Sequence, residues 1–239
     1  NVDSLSQILR NEERLQADES ELYTDLEWRF GHSWKLDAGL NATVFQIRNI
    51  AYPALLPRFR MEYATPGGWS YWAGYHRMSQ NLHQIGSFNI SLPFELWVPS
   101  TAKVKPELVG QSSLGLGWRN EYWSIQAEAY YKDMDRVLTF LSGADALSTV
   151  GAEDASGWED RVLEGTGSAK GIEFLLARQK GNTTGSVAYT LSSATRHFPD
   201  LNSGQPFPFR FDRRHDVKIS VRQRLGSWLH AEAFWAFST

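Results

Sequence analysis

The chain has 239 residues, with 24 Lys and Arg against 27 Asp and Glu, a net charge of -3 and no cysteine. That balance offers nucleic acid no basic surface, and the lack of cysteine excludes disulfides, thiolate metal sites and a cysteine nucleophile. Aromatic residues make up 13% of the chain and include 10 Trp, yet no run reaches the roughly 18 apolar residues of a membrane helix, a test that leaves barrel strands open because their signal is only alternation.

The opening Asn1-Val2-Asp3 has no basic, apolar leader, and Phe237-Ser238-Thr239 falls inside an alternating run, so the sequence reads as an internal piece of a longer chain. Period-two alternation starts at 22–30, where Leu22, Thr24, Leu26, Trp28 and Phe30 oppose Tyr23, Asp25, Glu27 and Arg29. It repeats at 34–44, with Trp34, Leu36, Ala38, Leu40, Ala42 and Val44 on one side and Lys35, Asp37, Gly39, Asn41 and Thr43 on the other. Weaker runs predict strands over 56–64, 69–78 and 110–118. At 123–131, Trp123, Ile125, Ala127, Ala129 and Tyr131 oppose Ser124, Gln126, Glu128 and Tyr130, and further runs cover 169–178 and 185–193. The last two strands are predicted at 217–225, with Val217, Ile219, Val221 and Leu225 aligned, and at 229–237, with Leu229, Ala231, Ala233, Trp235 and Phe237 aligned. The total is about ten strands.

Short connections with turn chemistry fall at 31–33, 65–68, 119–122, 180–185 and 226–227. Longer ones, rich in Pro, Ser, Gly and acidic residues, are predicted at 48–55, 80–109, 141–168 and 195–212. The two kinds alternate, so one edge of the sheet collects the tight turns and the other the long connections.

Aromatic side chains crowd the tight-turn edge. Phe30 and Trp34 flank the first turn, Trp69 follows the second, Trp118 and Trp123 bracket the third, and Trp228 follows the fifth, all in phase with the apolar face. The fourth turn carries none. An indole prefers the headgroup level of a bilayer, and outer-membrane barrels carry aromatic girdles where their lipid-facing band ends. These six residues are therefore candidate girdle residues, against the alternative that they plug the open end of a soluble sandwich. The opposite face holds Asp25, Glu27, Arg29, Lys35, Asp37, Glu128, Lys132, Lys218, Arg222, Arg224 and Glu232. So many charges of both signs do not suit a packed interior, whereas a wet or plugged lumen accepts them. The fold class expected is all-β, an antiparallel up-and-down transmembrane barrel.

Several stretches carry a resemblance. GYHRMSQNLHQI (74–85), SLPFELWVPSTAKVKPE (91–107), EAYYKDMDRVL (128–138), GSAKGIEFLLARQKGNTTGSVAYTLSSATRHF (167–198) and FPFRFDRRHDVKISV (207–221) resemble, in order and spacing, the barrel of TonB-dependent outer-membrane receptors of the Bacteroidota type. The resemblance covers the chain from about Glu21 onward and takes residues 1–239 as one partial barrel domain, without plug, signal peptide or last strands. It implies a cell outer-membrane location and about ten strands of a barrel of the plugged, 22-stranded class. It further implies active uptake of a scarce nutrient, such as a metal chelate, vitamin, glycan or peptide. The implied partners are outer-membrane lipid, the rest of the barrel and plug, TonB through the missing N-terminal part, and in one branch a surface lipoprotein.

DRRHD, Asp212 to Asp216, opens a strand directly after a long connection. By phase Asp212, Arg214 and Asp216 join Lys218 on the lumen side while Arg213 and His215 point outward. Together with Arg210 and with Trp97 on the 80–109 connection, Asp212, Arg214 and Asp216 are the candidate substrate contacts, Arg offering a bidentate grip on carboxylate or phosphate. The competing reading makes the charges a cross-strand ion-pair ladder and Trp97 a residue that packs its loop onto its neighbours. Glu153, Asp154, Glu159 and Asp160 could hold calcium, with a solvated acidic loop the preferred reading. The six His show no ligand or catalytic spacing, so no metal, cofactor or enzymatic role is expected. A soluble all-β ligand-binding or adhesion module is the alternative. Exposure of Leu36, Leu40, Ile125, Ala129, Ile219 and Val221 separates the two, and a passive porin would differ only in lacking a plug.

Overall fold

The computed structural model describes residues 16–87, 94–140 and 158–239. Among them ten long strands run up and down: β1 (Ala17–Phe30), β2 (Trp34–Ile47), β3 (Ile50–Ala64), β4 (Trp69–Gln80), β7 (Glu107–Arg119), β8 (Trp123–Phe140), β9 (Val162–Arg178), β10 (Thr183–His197), β12 (His215–Arg224) and β13 (His230–Ser238). Each pairs antiparallel with the next in a single sheet. Three short strands complete the thirteen described: β5 (Leu82–Ser87) and β6 (Phe94–Pro99), a separate two-stranded sheet, and β11 (Phe207–Pro208), which folds back on β10.

The ladders lock side-chain phase from strand to strand, because partners in a ladder share a face. Trp28 pairs with Leu36, which pairs with Met61, and Met61 with Ala73. In the other half of the sheet, on the same face, Leu116 pairs with Ala127, Ala127 with Phe174, Phe174 with Tyr189 and Tyr189 with Val217. One apolar face thus runs unbroken from β1 to β13. None of Leu36, Leu40, Ile125, Ala129, Ile219 and Val221 is buried, and Leu40, Ile125, Ala129 and Val221 are exposed. A sandwich would pack this face against a second layer, so the sandwich alternative is set aside.

Four connections differ from expectation; in the one predicted at 141–168, β9 already begins at Val162, and 141–157 lie outside the described residues. The predicted connection at 48–55 is a two-residue turn, because Arg48 takes a left-handed φ of 51° and β3 starts at once. Pro53 and Pro57 sit inside β3 without breaking its pairing to β2. They are tolerated because the β3–β4 ladder reaches only to Arg58, leaving this part of β3 with one neighbour. The connection predicted at 80–109 contains β5 and β6, and the one at 195–212 contains β11 and a 3-10 turn at Asn202–Gly204. β8 carries a bulge at Arg136, φ 63°, where its register to β9 shifts between Asp135 and Val137. The extra residue flips the alternation, so that Val137 turns to the inner face and is buried.

Among the described residues most of the core lies at the long-connection edge, the exception being Trp72 on the inner face near the tight turns. Phe45 and Ile47 on the inner side of β2, Val98 and Val104 around β6, Val137 and Phe198 are buried. Burial of each such side chain contributes about 1.5–3 kcal/mol. The loop after β6 is tied down by Tyr52, whose hydroxyl donates to the Thr101 carbonyl at 2.5 Å, and by Ser100, whose N–H donates to the Asn81 carbonyl at 2.8 Å.

Candidate functional site

At the tight-turn edge the outer face carries a row of rings. Trp28 and Phe30 lie 5.0 Å apart, Phe30 stacks on Trp34 at 6.0 Å, and Trp34 meets Tyr63 at 4.7 Å. Tyr63 stacks on Tyr71, Tyr71 on Trp69, and Trp69 meets Trp118 at 6.4 Å. Of the predicted girdle residues, Phe30, Trp34, Trp69 and Trp118 therefore belong to one contiguous row across β1 to β7. Trp123 continues the phase on β8 with the Arg178 guanidinium 5.6 Å from its ring, which fills the level of the fourth turn that lacks an aromatic. Trp228 stands in the last turn, 83% exposed. The candidates drawn from the sequence left out Trp28, Tyr63 and Tyr71, though all three lie near strand ends in the right phase.

The inner face at the same edge is a charged lattice. Asp25 and Arg58 form an ion pair although they lie on β1 and β3, with Gly39 of β2 between them in register. A Cβ at Gly39 would sit 2.4 Å from the Asp25 carboxylate and 2.5 Å from the Arg58 Nε, so a side chain there would push the two ends apart. Gly115 plays the same part between Trp72 and Glu128: the indole N–H donates to the carboxylate at 2.8 Å across a glycine whose Cβ would strike the ring. The Arg60 guanidinium covers the Trp72 ring at 4.8 Å. Lys35 bridges Glu27 at 3.2 Å and Asp37 at 3.0 Å, and Arg222 pairs with Glu232 at 3.1 Å. Asp25, Asp37, Arg58, Arg60, His76 and Glu128 help line a concavity of about 530 Å³ on this face. Exposed pairs of this kind add little stability. What they give the surface is a dense field of donors and acceptors of both signs, wetted on a concave wall.

The sequence-predicted contact residues at the other edge do different work. Asp212 accepts the Ala194 N–H at 2.7 Å and pairs with Arg214 at 3.2 Å, pinning the chain just before β12 to β10. Asp216 pairs with Lys218 at 3.0 Å. Both pairs join residues two apart along the chain, so the charges are not the expected cross-strand ladder. The Arg210 guanidinium lies 4.6 Å from the Phe211 ring. His215 does face outward, stacked on Tyr189 with its Nδ1 2.9 Å from the Tyr189 hydroxyl. Trp97 belongs to the separate β5–β6 sheet and is 61% exposed, so its neighbour Val98, not Trp97, packs the loop down.

Behind Trp97 the loop is held by polar contacts. Ser100 is fully buried, with its Oγ 2.9 Å from His83 Nε2. Burial pushes the His83 imidazole pKa below its ordinary value. Asn81 donates to Glu19 on β1 at 2.9 Å, and Lys103 reaches Asp160 at 2.5 Å, a contact that raises the lysine pKa. Asp160 of the candidate calcium loop is thus engaged by a lysine, while Glu153 and Asp154 lie outside the described residues. Among the described residues no group of three His, Asp or Glu is placed to hold a metal.

Residues 3–237 match a family model described as TonB dependent receptor-like, beta-barrel. No curated protein matches the sequence. Among solved structures, the chain is similar to the FrpB iron transporter from Neisseria meningitidis, with 12% identity and a TM-score of 0.65 over 98% of this chain and 35% of that one. It is similar to the alcaligin outer-membrane receptor FauA from Bordetella pertussis, with 14% identity and a TM-score of 0.61 over 94% and 38%. It is also similar to the copper transporter OprC, with 14% identity and a TM-score of 0.66 over 93% and 34%. The chain spans about a third of the length of these structures.

Proposed function

The chain belongs to the TonB-dependent receptor β-barrel family, and on that premise we propose that it builds part of the wall and extracellular connections of an outer-membrane transporter for a scarce nutrient. The observation that carries this reading is the sheet's two faces, one apolar and exposed across ten strands, the other charged and concave. Lipid covers the first and a plug with water fills the second. The aromatic row from Trp28 to Trp118, with Trp123 and Trp228, forms the periplasmic girdle, and the long connections face outside. Energy arrives through TonB, which engages a part of the receptor other than this barrel wall.

Substrate meets the outer edge. Trp97 is exposed beside an anchored loop and suits stacking. Arg210, Arg214 and Asp216 offer charge near the same edge, while Asp212 holds the connection in place. Metal chelates are the class to test first, because the solved structures that the chain resembles include an iron transporter and a copper transporter. The motif order from Gly74 to Val221 supports a receptor of the Bacteroidota type, for which a surface lipoprotein partner is open to pull-down.

The test is uptake. Cells carrying the full-length receptor should accumulate a radiolabelled ferric chelate, and should stop when TonB is deleted or the inner-membrane proton gradient is collapsed. Uptake that persists in both conditions would mean passive permeation and sink the energised reading.

A further inference from the structure

We infer that the wall between β3 and β4 holds a cleft that binds the phosphate-bearing headgroup of an anionic outer-leaflet lipid; the inference rests on the outer-membrane placement proposed above. Ladder β2–β3 continues to Ile50 and ladder β4–β7 continues to Gln80, but β3–β4 ends at the pair Arg58 and His76, just below Pro57. The two strands part there, because the prolines on β3 have no N–H to offer β4. The gap is a cleft of about 560 Å³ whose lining includes Val44, Pro53, Leu55, Arg77, Leu108 and Arg136.

Its two walls differ in chemistry as an amphiphile would require. By register Val44, Pro53 and Leu55 share the apolar, outward phase, and Leu55 is 63% exposed. Arg77 has the same outward phase on β4, through the pairs that put Tyr75 opposite Phe59 and Trp69 opposite Trp118. Among the described residues no acidic side chain lines the cleft; the nearest outward carboxylate in register is Asp133, which lies over Gly110, the β7 partner of Arg77. Arg136 and Glu159 both act electrostatically on Tyr52, and of the two only Arg136 is part of the lining. On the inner side Tyr52 is bonded to the loop at Thr101, which places protein behind the cleft.

An outward arginine on a lipid-facing strand is costly at mid-bilayer and cheap at the interface. Arg77 stands eight residues beyond Trp69 of the girdle, which is about 26 Å along a strand and about 20 Å of height at a tilt of roughly 40°. Its Cα therefore sits about 5 Å below the upper margin of an apolar band about 25 Å tall, a distance that an arginine side chain spans to reach the outer headgroup level. Arg136 joins it from the bulge of β8, held at a φ of 63° that a non-glycine residue adopts at a cost. Two guanidinium groups give a phosphate charge-assisted, bidentate contacts, while an acyl chain lies along Val44, Pro53 and Leu55.

The full-length receptor, extracted from outer membranes and placed in phosphatidylcholine nanodiscs, would be titrated with bisphosphorylated lipid A, with dephosphorylated lipid A and with inorganic phosphate. Native mass spectrometry reads the adducts. The expected result is a retained bisphosphorylated lipid adduct, weakened roughly tenfold by Arg77→Gln, further by the Arg77→Gln/Arg136→Gln pair, and similarly by removing the lipid phosphates. Equal retention by wild type and by Arg77→Gln, a change at an exposed position, overturns the cleft. So does inorganic phosphate binding as tightly as the lipid, since the source would then be free anion. Heat-dependent gel mobility reports the barrel separately: a receptor that reaches the membrane folded but shows unchanged adducts defeats this inference alone, whereas one that never enters the membrane defeats the transporter reading as well.

Discussion

The two edges of the same sheet treat their inner faces in opposite ways. At the tight-turn edge the inner face is charged and open, with Asp25, Arg58, Trp72 and Glu128 meeting across glycines. At the long-connection edge it turns apolar, with Phe45, Ile47, Val98 and Val104 buried beneath a loop that folds inward. Strand alternation is identical in both regions, so the difference comes from what covers each. Where nothing folds over the wall, the inward side chains are charged or, like Trp72, covered by charged neighbours, here Arg60 and Glu128. Where a loop of the chain itself lies on the wall, dehydration is shared by both surfaces and apolar residues become the stable choice.

The comparison breaks most readily at the covered edge. Phe45→Ala in the full-length receptor should cost about 3–5 kcal/mol, the range for emptying a large aromatic site. Protease nicking of the 97–106 loop should then rise well before the barrel unfolds in a urea series. A loop as protected as in wild type would mean that the inward packing contributes little.

A smaller effect is expected at the open edge. Gly115→Val puts a side chain where the Trp72 ring lies and should cost about 1–3 kcal/mol as an overpacking change. Separation of the indole from Glu128 should appear as a shift in tryptophan emission. Unchanged emission would show that the glycine gap is not what lets the two side chains meet.

The mildest probe is proton concentration. Burial favours the neutral form of His83, so its pKa in the closed loop lies below that in the released loop. A group with a depressed histidine pKa binds more protons when released, so its stabilising effect is complete above the ordinary value of about 6.5 and declines as pH falls from there toward the lowered pKa. Hydrogen exchange around Ser100 should accelerate as pH is lowered through that window, after correction for intrinsic rates, and His83→Gln should flatten the dependence. A profile equally steep in the variant would assign the effect to another group.

Much of the architecture is a local property of the chain. The face on which Leu36, Leu40, Ile125 and Val221 lie is legible because period two forces alternate residues to opposite sides, and the tight turns are legible because Gly31, Gly68 and Gly181 supply left-handed φ values. Arg48 broke that rule by taking the left-handed position itself, and Pro53 and Pro57 masked β3, since a proline's tolerance depends on whether a neighbouring strand needs its N–H. The candidate contacts were legible as residues but not as arrangements. Asp212 turned to Arg214 and to the Ala194 N–H because the chain folds back through β11, which no spacing announces.

The sequence by itself determined ten amphipathic strands, their two faces, the aromatic tight-turn edge and the family, because these rest on neighbours along the chain. Only the tertiary structure decided that the β6 loop lies inside the wall, that Gly39 and Gly115 open passages for side chains two strands apart, and that the wall parts above Pro57. Each depends on residues brought together from distant strands, where shape and desolvation, not period, set the outcome.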